Sequence, residues 1–271
     1  MLRIHLFTGQ VINVIDQKIF AQICDDTIHN PKCITNIGTY NEKIMHLILK
    51  KYIDPDESHH EKKCCGFFAD ILDGNNITEI QTGSLSPLKK KLLKLSDLGY
   101  NINVVHPIYR KKWISWLDTN SGKITRKRLS PKKGSKYHFL AELVYVLPLL
   151  KVDNIKFTVL FLEVEEYRNL NGWDSTKKKG STKNVSIPIS LLDEMCISSA
   201  EDYHFLIPKE LNETFSTAEF AKAAGLTKRR AYAAIRVLKE VMAIEPNHTL
   251  KREIYYKKTF VSQSSDTSKG E

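Results

Sequence analysis

The alternation of apolar and polar positions is clearest over residues 64–82, CCGFFADILDGNNITEIQT, where it predicts two paired β-strands. The turn signal between them is the segment 73–76, DGNN. A two-residue turn there would place Asp70 directly opposite Glu79. Opposed side chains on paired strands have Cβ atoms about 5 Å apart, and two carboxylates at that distance repel each other. The pattern therefore predicts a bound cation, with Mg²⁺ or Mn²⁺ as the ions that prefer carboxylate oxygen.

Two alternatives to a cation site remain open. A longer turn would change the register, and a slip of one residue would move a carboxylate to the other face of the sheet. One acid would then point to solvent, as charged side chains at strand edges commonly do. With the two-residue turn, Asp73 faces Asn76 and Leu72 faces Ile77, so the register itself can be checked.

Helical spacing predicts a helix on each side of this hairpin. The first covers residues 41–52, with Asn41 as its N-cap and Glu42 in its first turn. The residues that follow its helical spacing, and so share its predicted face, are Ile44, Leu47, Ile48 and Lys51. The second helix begins at Ser86-Pro87, ends at Gly99 and is followed by a short apolar strand over 102–108. Its predicted face consists of Leu88, Leu92 and Leu95.

This order of helix, two or three strands, helix and strand, with an acid on the first helix, resembles the core of the PD-(D/E)xK nucleases. Their fold is the restriction-endonuclease-like fold, and the resemblance covers about residues 41–108. The second motif here is Ala69-Asp70, which lacks the proline of the family name. The third motif is Glu79-Ile80-Gln81, in which glutamine replaces the usual lysine. Members similar to the competence protein CoiA also carry Glu-x-Gln, followed by a helix with basic residues.

The resemblance implies a metal-dependent phosphodiesterase site. Asp70 and Glu79 would ligate Mg²⁺ or Mn²⁺, and Glu42 would assist through a water. Gln81 would stand at the lysine position, where an amide orients a water or a phosphate oxygen but carries no charge. Lys91, which flanks the apolar face of the second helix, would restore that charge. These five residues form the predicted catalytic site.

Charge and composition narrow the class of protein. The 271 residues are 42% apolar and 27% charged, which is typical of a soluble globular chain with room for two domains. The net charge of +10 favours a polyanionic partner, because the Lys and Arg residues are clustered. No run of 18 apolar residues predicts a membrane span, and no secretion signal is visible. Five cysteines without a CxxC pair predict neither a disulfide framework nor a zinc site, so a cytoplasmic protein is expected.

Residues 215–244 predict two short helices. Ser216 and Glu219 form a capping box, Gly225 ends the first helix, and Thr227 caps the second. With the strand-turn-strand pattern of the tail, this region resembles a winged helix over 210–259. In that family the second helix enters the major groove of DNA. By position, the residues that would face DNA are Thr227, Lys228, Arg229, Tyr232 and Arg236.

The predicted fold is α/β (α+β): a restriction-endonuclease-like mixed sheet core flanked by helices, plus a small C-terminal winged-helix domain. The expected divisions are a nuclease-like domain with an N-terminal extension (1–168), a basic loop and connector (169–207), the winged helix (208–260) and a disordered tail (261–271). A second hairpin over 112–129 pairs Trp113 and Trp116 with three consecutive basic residues, which predicts either a nucleic-acid contact or ordinary core aromatics.

The predicted function is that of a DNA-binding, divalent-metal-dependent deoxyribonuclease. Two alternatives stay open: a DNA-binding regulator whose nuclease-like domain is inactive, with Gln81 as the marker, and a scaffold whose winged helix binds a protein. The sequence also leaves room for a homodimer or a protein partner.

Overall fold

The computed structural model describes residues 16–28, 41–118, 121, 123–173 and 179–259, with side chains described throughout except at 41–43 and 170–184. The predicted tail at 261–271 lies outside these residues. The α-helices are α1 Gln17–Ile28, α2 Asn41–Ile53, α3 Lys89–Asp97, α4 Lys136–Glu142, α5 Thr217–Ala224 and α6 Lys228–Glu240. Short 3-10 helices span Glu57–His59, Ser86–Leu88, Leu143–Leu149 and Glu201–Leu206. Across the described ranges, no helix combines the length and apolarity that crossing a membrane requires.

The strands form two sheets. They are β1 His60–Cys64, β2 Phe67–Asp73, β3 Asn76–Ile80, β4 Asn101–Leu117, β5 Ile124–Leu129, β6 Ile155–Trp173, β7 Lys179–Ile197, β8 Thr214–Ser216, β9 Ile244–Leu250 and β10 Glu253–Lys258. Within the described residues the larger sheet has seven strands in the order β1-β2-β3-β4-β6-β7, with β5 paired to β4, and the smaller one has the order β8-β10-β9. Strands β1, β2 and β3 are antiparallel, whereas β3 and β4 are parallel. The protein is thus of mixed α and β class, with a large mixed sheet and flanking helices.

The chain divides into two compact units, and the division differs from the expected one. The first unit comprises Met1–His59, Pro107–Gly134 and Val159–Met195; the second comprises His60–His106, Ser135–Thr158 and Cys196–Glu271. The C-terminal helices therefore share a unit with β1, β2 and β3, because α6 packs against α4 and the 3-10 helix that follows it. An ion pair of 2.9 Å between Lys151 and Glu240 adds to this packing.

The predicted basic connector over 169–207 is also different in the structure. Strand β6 continues to Trp173, β7 begins at Lys179, and the 3-10 helix Glu201–Leu206 follows. Lys, Gly, Ser and Thr in this stretch give no apolar repeat, and backbone pairing between strands does not need one. In the same way, the apolar strand expected at 102–108 continues without a break into the arm expected from 112, so that β4 has 17 residues.

Helix α2, in the first unit, turns a different face inward from the predicted one. Its buried residues include Met45, Ile48, Leu49 and Tyr52, a set rotated by about one residue from the expected face. The reason is α1, whose Phe20 ring packs edge-on against Tyr52 with centroids 5.1 Å apart. A packing partner elsewhere in the chain therefore selected the face.

Candidate active site

The β2–β3 hairpin in the second unit has the predicted register. Asp73 pairs with Asn76 and Leu72 with Ile77, across a turn in which Gly74 adopts the left-handed conformation with φ 55°. The last pair of the ladder is Ile71 with Thr78. Asp70 and Glu79 are the next residues outward on their strands, so they lie opposite each other. The two-residue turn is therefore correct, and the longer turn and the slipped register are excluded.

The two acids have different environments. Asp70 is half-buried, and its Oδ2 accepts a hydrogen bond of 2.7 Å from the backbone N–H of Ile80. This bond ties the carboxylate to the end of β3. Glu79 is only 3% exposed. The hairpin thus sets one partly accessible carboxylate against one that is enclosed.

Lys91 from α3 reaches the enclosed carboxylate. Its Nζ lies 2.5 Å from Glu79 Oε1 and 2.5 Å from the carbonyl oxygen of Phe68, to which it donates a hydrogen bond. Oε1 has no well-aligned hydrogen bond of its own, so its contact with the ammonium is a close ion pair. The sequence placed Lys91 beside the apolar face of α3, and the burial of Leu92 and Leu95 on that face explains why the lysine side chain points inward.

Burial dominates the acidity of Glu79. Removal from water raises its pKa to about 7, against the opposing effect of the Lys91 ammonium. The neighbouring charge of Asp70 raises the pKa further, and the backbone N–H of Asp70 lowers it. Near neutral pH this carboxyl group is therefore divided between its protonated and ionised forms, which is unusual for a glutamate and common at functional sites.

Gln81 follows the last residue of β3, and its side chain is used locally. The amide Nε2 donates a hydrogen bond of 2.8 Å to the carbonyl oxygen of Ser84. The family resemblance implies that the Gln81 amide orients a water or a phosphate oxygen. In the structure, this amide binds a nearby backbone carbonyl oxygen. The two-residue turn would set Phe68 opposite Gln81, and the carbonyl oxygen of Phe68 accepts a hydrogen bond from Lys91.

Glu42 belongs to α2 in the first unit, and its side chain lies outside the described residues. Its predicted role as an assisting acid stays a prediction. Within the part of the chain that the structure describes, no group of three or more His, Cys, Asp or Glu side chains is arranged to hold a metal ion. Among the described side chains, the acids that the hairpin brings together are therefore Asp70 and Glu79.

Two polar residues that sequence reasoning missed hold the segment after Glu79. His106 on β4 is 7% exposed, and its Nδ1 lies 2.6 Å from the carbonyl oxygen of Gln81. A carbonyl oxygen only accepts, so Nδ1 carries the proton. Burial lowers the pKa of His106, although Gln81 and Glu142 oppose that shift, and the ring is neutral at physiological pH. Glu142 Oε1 accepts a hydrogen bond of 3.1 Å from the N–H of Leu85. The sequence does contain a signal for both residues, because His106 and Glu142 are each a polar residue inside a strongly apolar segment.

Residues 43–198 match the family described as a domain of unknown function, DUF8091. The match covers more than half of the chain and includes Asp70, Glu79 and Lys91. The chain belongs to this family. No curated protein and no solved structure matches the sequence.

The C-terminal helices lie beyond the DUF8091 match, and their predicted caps are confirmed. Ser216 accepts a hydrogen bond from the backbone N–H of Glu219, whose side chain in turn accepts one from the backbone N–H of Ser216. Gly225 ends α5 in the left-handed conformation with φ 63°, and the Thr227 side chain caps α6. Phe215 and Phe220 stack across the start of α5 with centroids 6.1 Å apart, as a hydrophobic staple requires.

Helix α6 has one buried face and one basic, exposed face. Its inward positions are Ala231, Ala234, Ile235, Val237 and Leu238. The five residues predicted to face DNA are all exposed: Thr227, Lys228, Arg229, Tyr232 and Arg236. Lys228 lies 6.0 Å from the centre of the Tyr232 ring, so a cation and an aromatic face are presented together.

Proposed function

We propose that this DUF8091 protein is a DNA-binding, divalent-metal-dependent nuclease. The observation that carries the proposal is the opposition of Asp70 and Glu79 on β2 and β3, with Lys91 at the buried carboxylate. The element order α2, β1, β2, β3, α3, β4 supports it, since it is the order on which the resemblance to PD-(D/E)xK nucleases rests. The parallel pairing of β3 with β4 sets the helix between them close to Glu79.

The two acids fit the ion that the resemblance implies. Mg²⁺ is usually bound by one or two carboxylates, with waters and substrate phosphates completing its shell, so Asp70 and Glu79 are a sufficient protein contribution. Oε1 of Glu79 is enclosed and already forms a close ion pair with Lys91, so a metal ion at the acid pair would share that oxygen with the ammonium or take the other carboxylate oxygens. When bound, the ion would neutralise charge on the scissile phosphate and lower the pKa of a bound water.

The chain's own groups would supply the remaining functions. Lys91 would place a positive charge beside the phosphate, and its hydrogen bond to the Phe68 carbonyl fixes its direction. Glu79, whose pKa is about 7, would bind the ion in its ionised form. Asp70, tied to the N–H of Ile80, would keep its carboxylate in place during the reaction.

The second part of the proposal is that α5 and α6, with β9 and β10, form a winged helix that holds DNA. Gly225 ends α5 just before α6 begins, and the strand pair β9–β10 follows α6 directly, in the order of helix, helix and wing. The exposed cations of α6 would neutralise phosphates and approach the major groove.

The test is a cleavage assay with the full-length protein on labelled single- and double-stranded DNA, with Mg²⁺ or with a chelator. Asp70→Asn and Glu79→Gln should each abolish cleavage. Asp73→Asn is the matched control, because Asp73 lies on the same hairpin, is exposed and pairs with Asn76. Cleavage by either site variant at the wild-type rate would refute the site assignment.

A second candidate function is a DNA-binding regulator whose nuclease-like site is inactive. Two contacts favour it: Lys91 already neutralises Glu79, and the amide of Gln81 is engaged by Ser84. This candidate predicts no cleavage with any divalent ion, together with duplex binding that Arg229→Ala weakens. Metal-dependent cleavage that needs Asp70 would exclude it.

A further inference from the structure

Strand β5 in the first unit is an exposed strand of unusual charge. It pairs antiparallel with the end of β4, from Trp113 opposite Leu129 to Leu117 opposite Ile124. Every residue of β5 is exposed. The segment 109–134 around this hairpin contains nine Lys or Arg residues and a single acid, Asp118. Its density of positive charge is therefore far above that of the whole chain.

One face of the hairpin is electrostatically satisfied. Lys127 lies 2.7 Å from Glu165, whose other oxygen accepts a hydrogen bond from Ser115. The indole N–H of Trp113 donates to Glu163 at 2.7 Å. These contacts tie both strands of the hairpin to β6, to which both glutamates belong, and Glu165 is only 8% exposed.

The other face is different, because side chains alternate along a strand. Arg126 lies opposite Trp116, and Arg128 is its diagonal neighbour. Each guanidinium carbon is 5.4 Å from the centre of the Trp116 ring. Within the described residues, neither arginine forms an ion pair with a carboxylate. The face thus combines a half-buried aromatic ring with two guanidinium groups that contact the ring and, among the described residues, have no carboxylate partner.

We propose that this face of the β4–β5 hairpin binds single-stranded nucleic acid. An unpaired base would stack on Trp116, and the phosphates beside it would be bound by Arg126 and Arg128. Aromatic stacking together with backbone-directed cations is the means by which proteins bind single strands without reading their sequence. A base inside a duplex does not expose its face, so the aromatic ring favours the single strand. The inference does not depend on the proposed nuclease site, since Asp70, Glu79 and Lys91 belong to the second unit.

The experiment uses the full chain and follows intrinsic tryptophan fluorescence as oligothymidylate or oligouridylate is added. Stacking on Trp116 should quench the emission, and Trp116→Phe should remove most of that quenching. Trp113→Phe is the matched control: it changes the same residue type on the same strand but on the satisfied face. It should leave the quenching intact. The two oligomers distinguish DNA from RNA as the natural ligand.

Affinity gives a second, independent measurement. Trp116→Ala should weaken binding of the single strand by roughly 5- to 150-fold, the range for loss of one base stack. The double variant Arg126→Ala/Arg128→Ala should reduce the slope of log affinity against log salt by about 1.4, from about 0.7 per phosphate contact. Lys62→Ala/Lys63→Ala removes two exposed cations from β1 and serves as the charge-matched control. Circular dichroism establishes that each variant is folded.

Three results would overturn the proposal. The first is quenching that persists in Trp116→Phe and disappears in Trp113→Phe. The second is a salt slope that falls equally in the arginine variant and in the charge-matched control. The third is a hairpin variant that weakens duplex and single-strand binding to the same extent, since that result would indicate a general electrostatic surface. Selective loss of single-strand binding, with the affinity for duplex unchanged, would support it.

Discussion

The buried carboxyl group of Glu79 makes the stability of the protein depend on pH in a direction that can be worked out from its surroundings. Its pKa is about 7 in the folded chain, and its ordinary value is 4.5. The folded state therefore holds this proton more tightly than the unfolded state does. The stabilisation is complete below about pH 4.5 and is lost as the pH rises through about 7. Since one pKa unit corresponds to about 1.36 kcal/mol, the loss is roughly 3 kcal/mol.

Glu79→Gln tests this reasoning, because glutamine has nearly the same shape and does not ionise. From about pH 5 to about pH 8.5, the free energy of unfolding of the variant should rise relative to the wild type by about 1–3 kcal/mol. The lower limit allows for Lys91, which loses its anionic partner in the variant. The net direction follows from burial, which affects the pKa of Glu79 more than the Lys91 contact does.

The assay is urea denaturation at a series of pH values, with Asp73→Asn as the exposed control on the same hairpin. If the difference in free energy between wild type and Glu79→Gln is constant across the series, Glu79 is ionised throughout and the argument from burial is refuted. Mg²⁺ provides a further readout. An ion held by Asp70 and Glu79 at about 100 times its dissociation constant would stabilise the wild type by about 2.7 kcal/mol at high pH and leave the variant unchanged.

Three other substitutions test separate parts of the structure. Gly134→Ala should lower the free energy of unfolding by about 1–3 kcal/mol, because the new Cβ would lie 2.5 Å from Ile108 Cγ2 and 2.8 Å from a backbone carbonyl oxygen. Gly83→Ala, whose Cβ would meet only one side-chain atom at 3.6 Å, is its control in the same denaturation series. Ser216→Ala removes the α5 cap and should cost about 1 kcal/mol in thermal or urea unfolding. Arg229→Ala should weaken duplex DNA binding and reduce the slope of log affinity against log salt by about 0.9. An unchanged slope would show that Arg229 makes no phosphate contact.

Features set by neighbouring residues were predictable from the sequence. The register of the β2–β3 hairpin follows from its two-residue turn, and the caps at Ser216 and Thr227 follow from side chains that reach three residues along the chain. The direction of Lys91 could be predicted from the apolar face of α3, since a residue beside that face lies close to the sheet. These interactions are local, so no knowledge of the remaining chain was needed.

Features set by distant partners were not predictable. His106 and Glu142 meet the segment after Glu79 from β4 and α4, and no spacing in the sequence relates them. The face of α2 was selected by α1, and the packing of α6 on α4 joined regions that had been expected to form separate domains. The amide of Gln81 donates a hydrogen bond to the carbonyl oxygen three residues along the chain. The family resemblance implied instead that this amide orients a water or a phosphate oxygen.

Lys91 is expected to affect both the stability of the fold and the proposed cleavage of DNA, and substitutions at this residue can separate the two effects. Lys91→Met would leave the Glu79 carboxylate buried without its cation, and breaking such a pair destabilises a protein by about 3–5 kcal/mol. The double variant Glu79→Gln/Lys91→Met removes both charges and should be much closer to the wild type. Urea unfolding of the two single variants and the double variant gives the coupling between the residues. A double variant that loses as much as the sum of the single variants would mean that the ion pair contributes nothing. Strong coupling would show instead that Lys91 compensates a buried charge, so its effect on DNA cleavage would have to be measured in folded Lys91→Arg, which retains the charge.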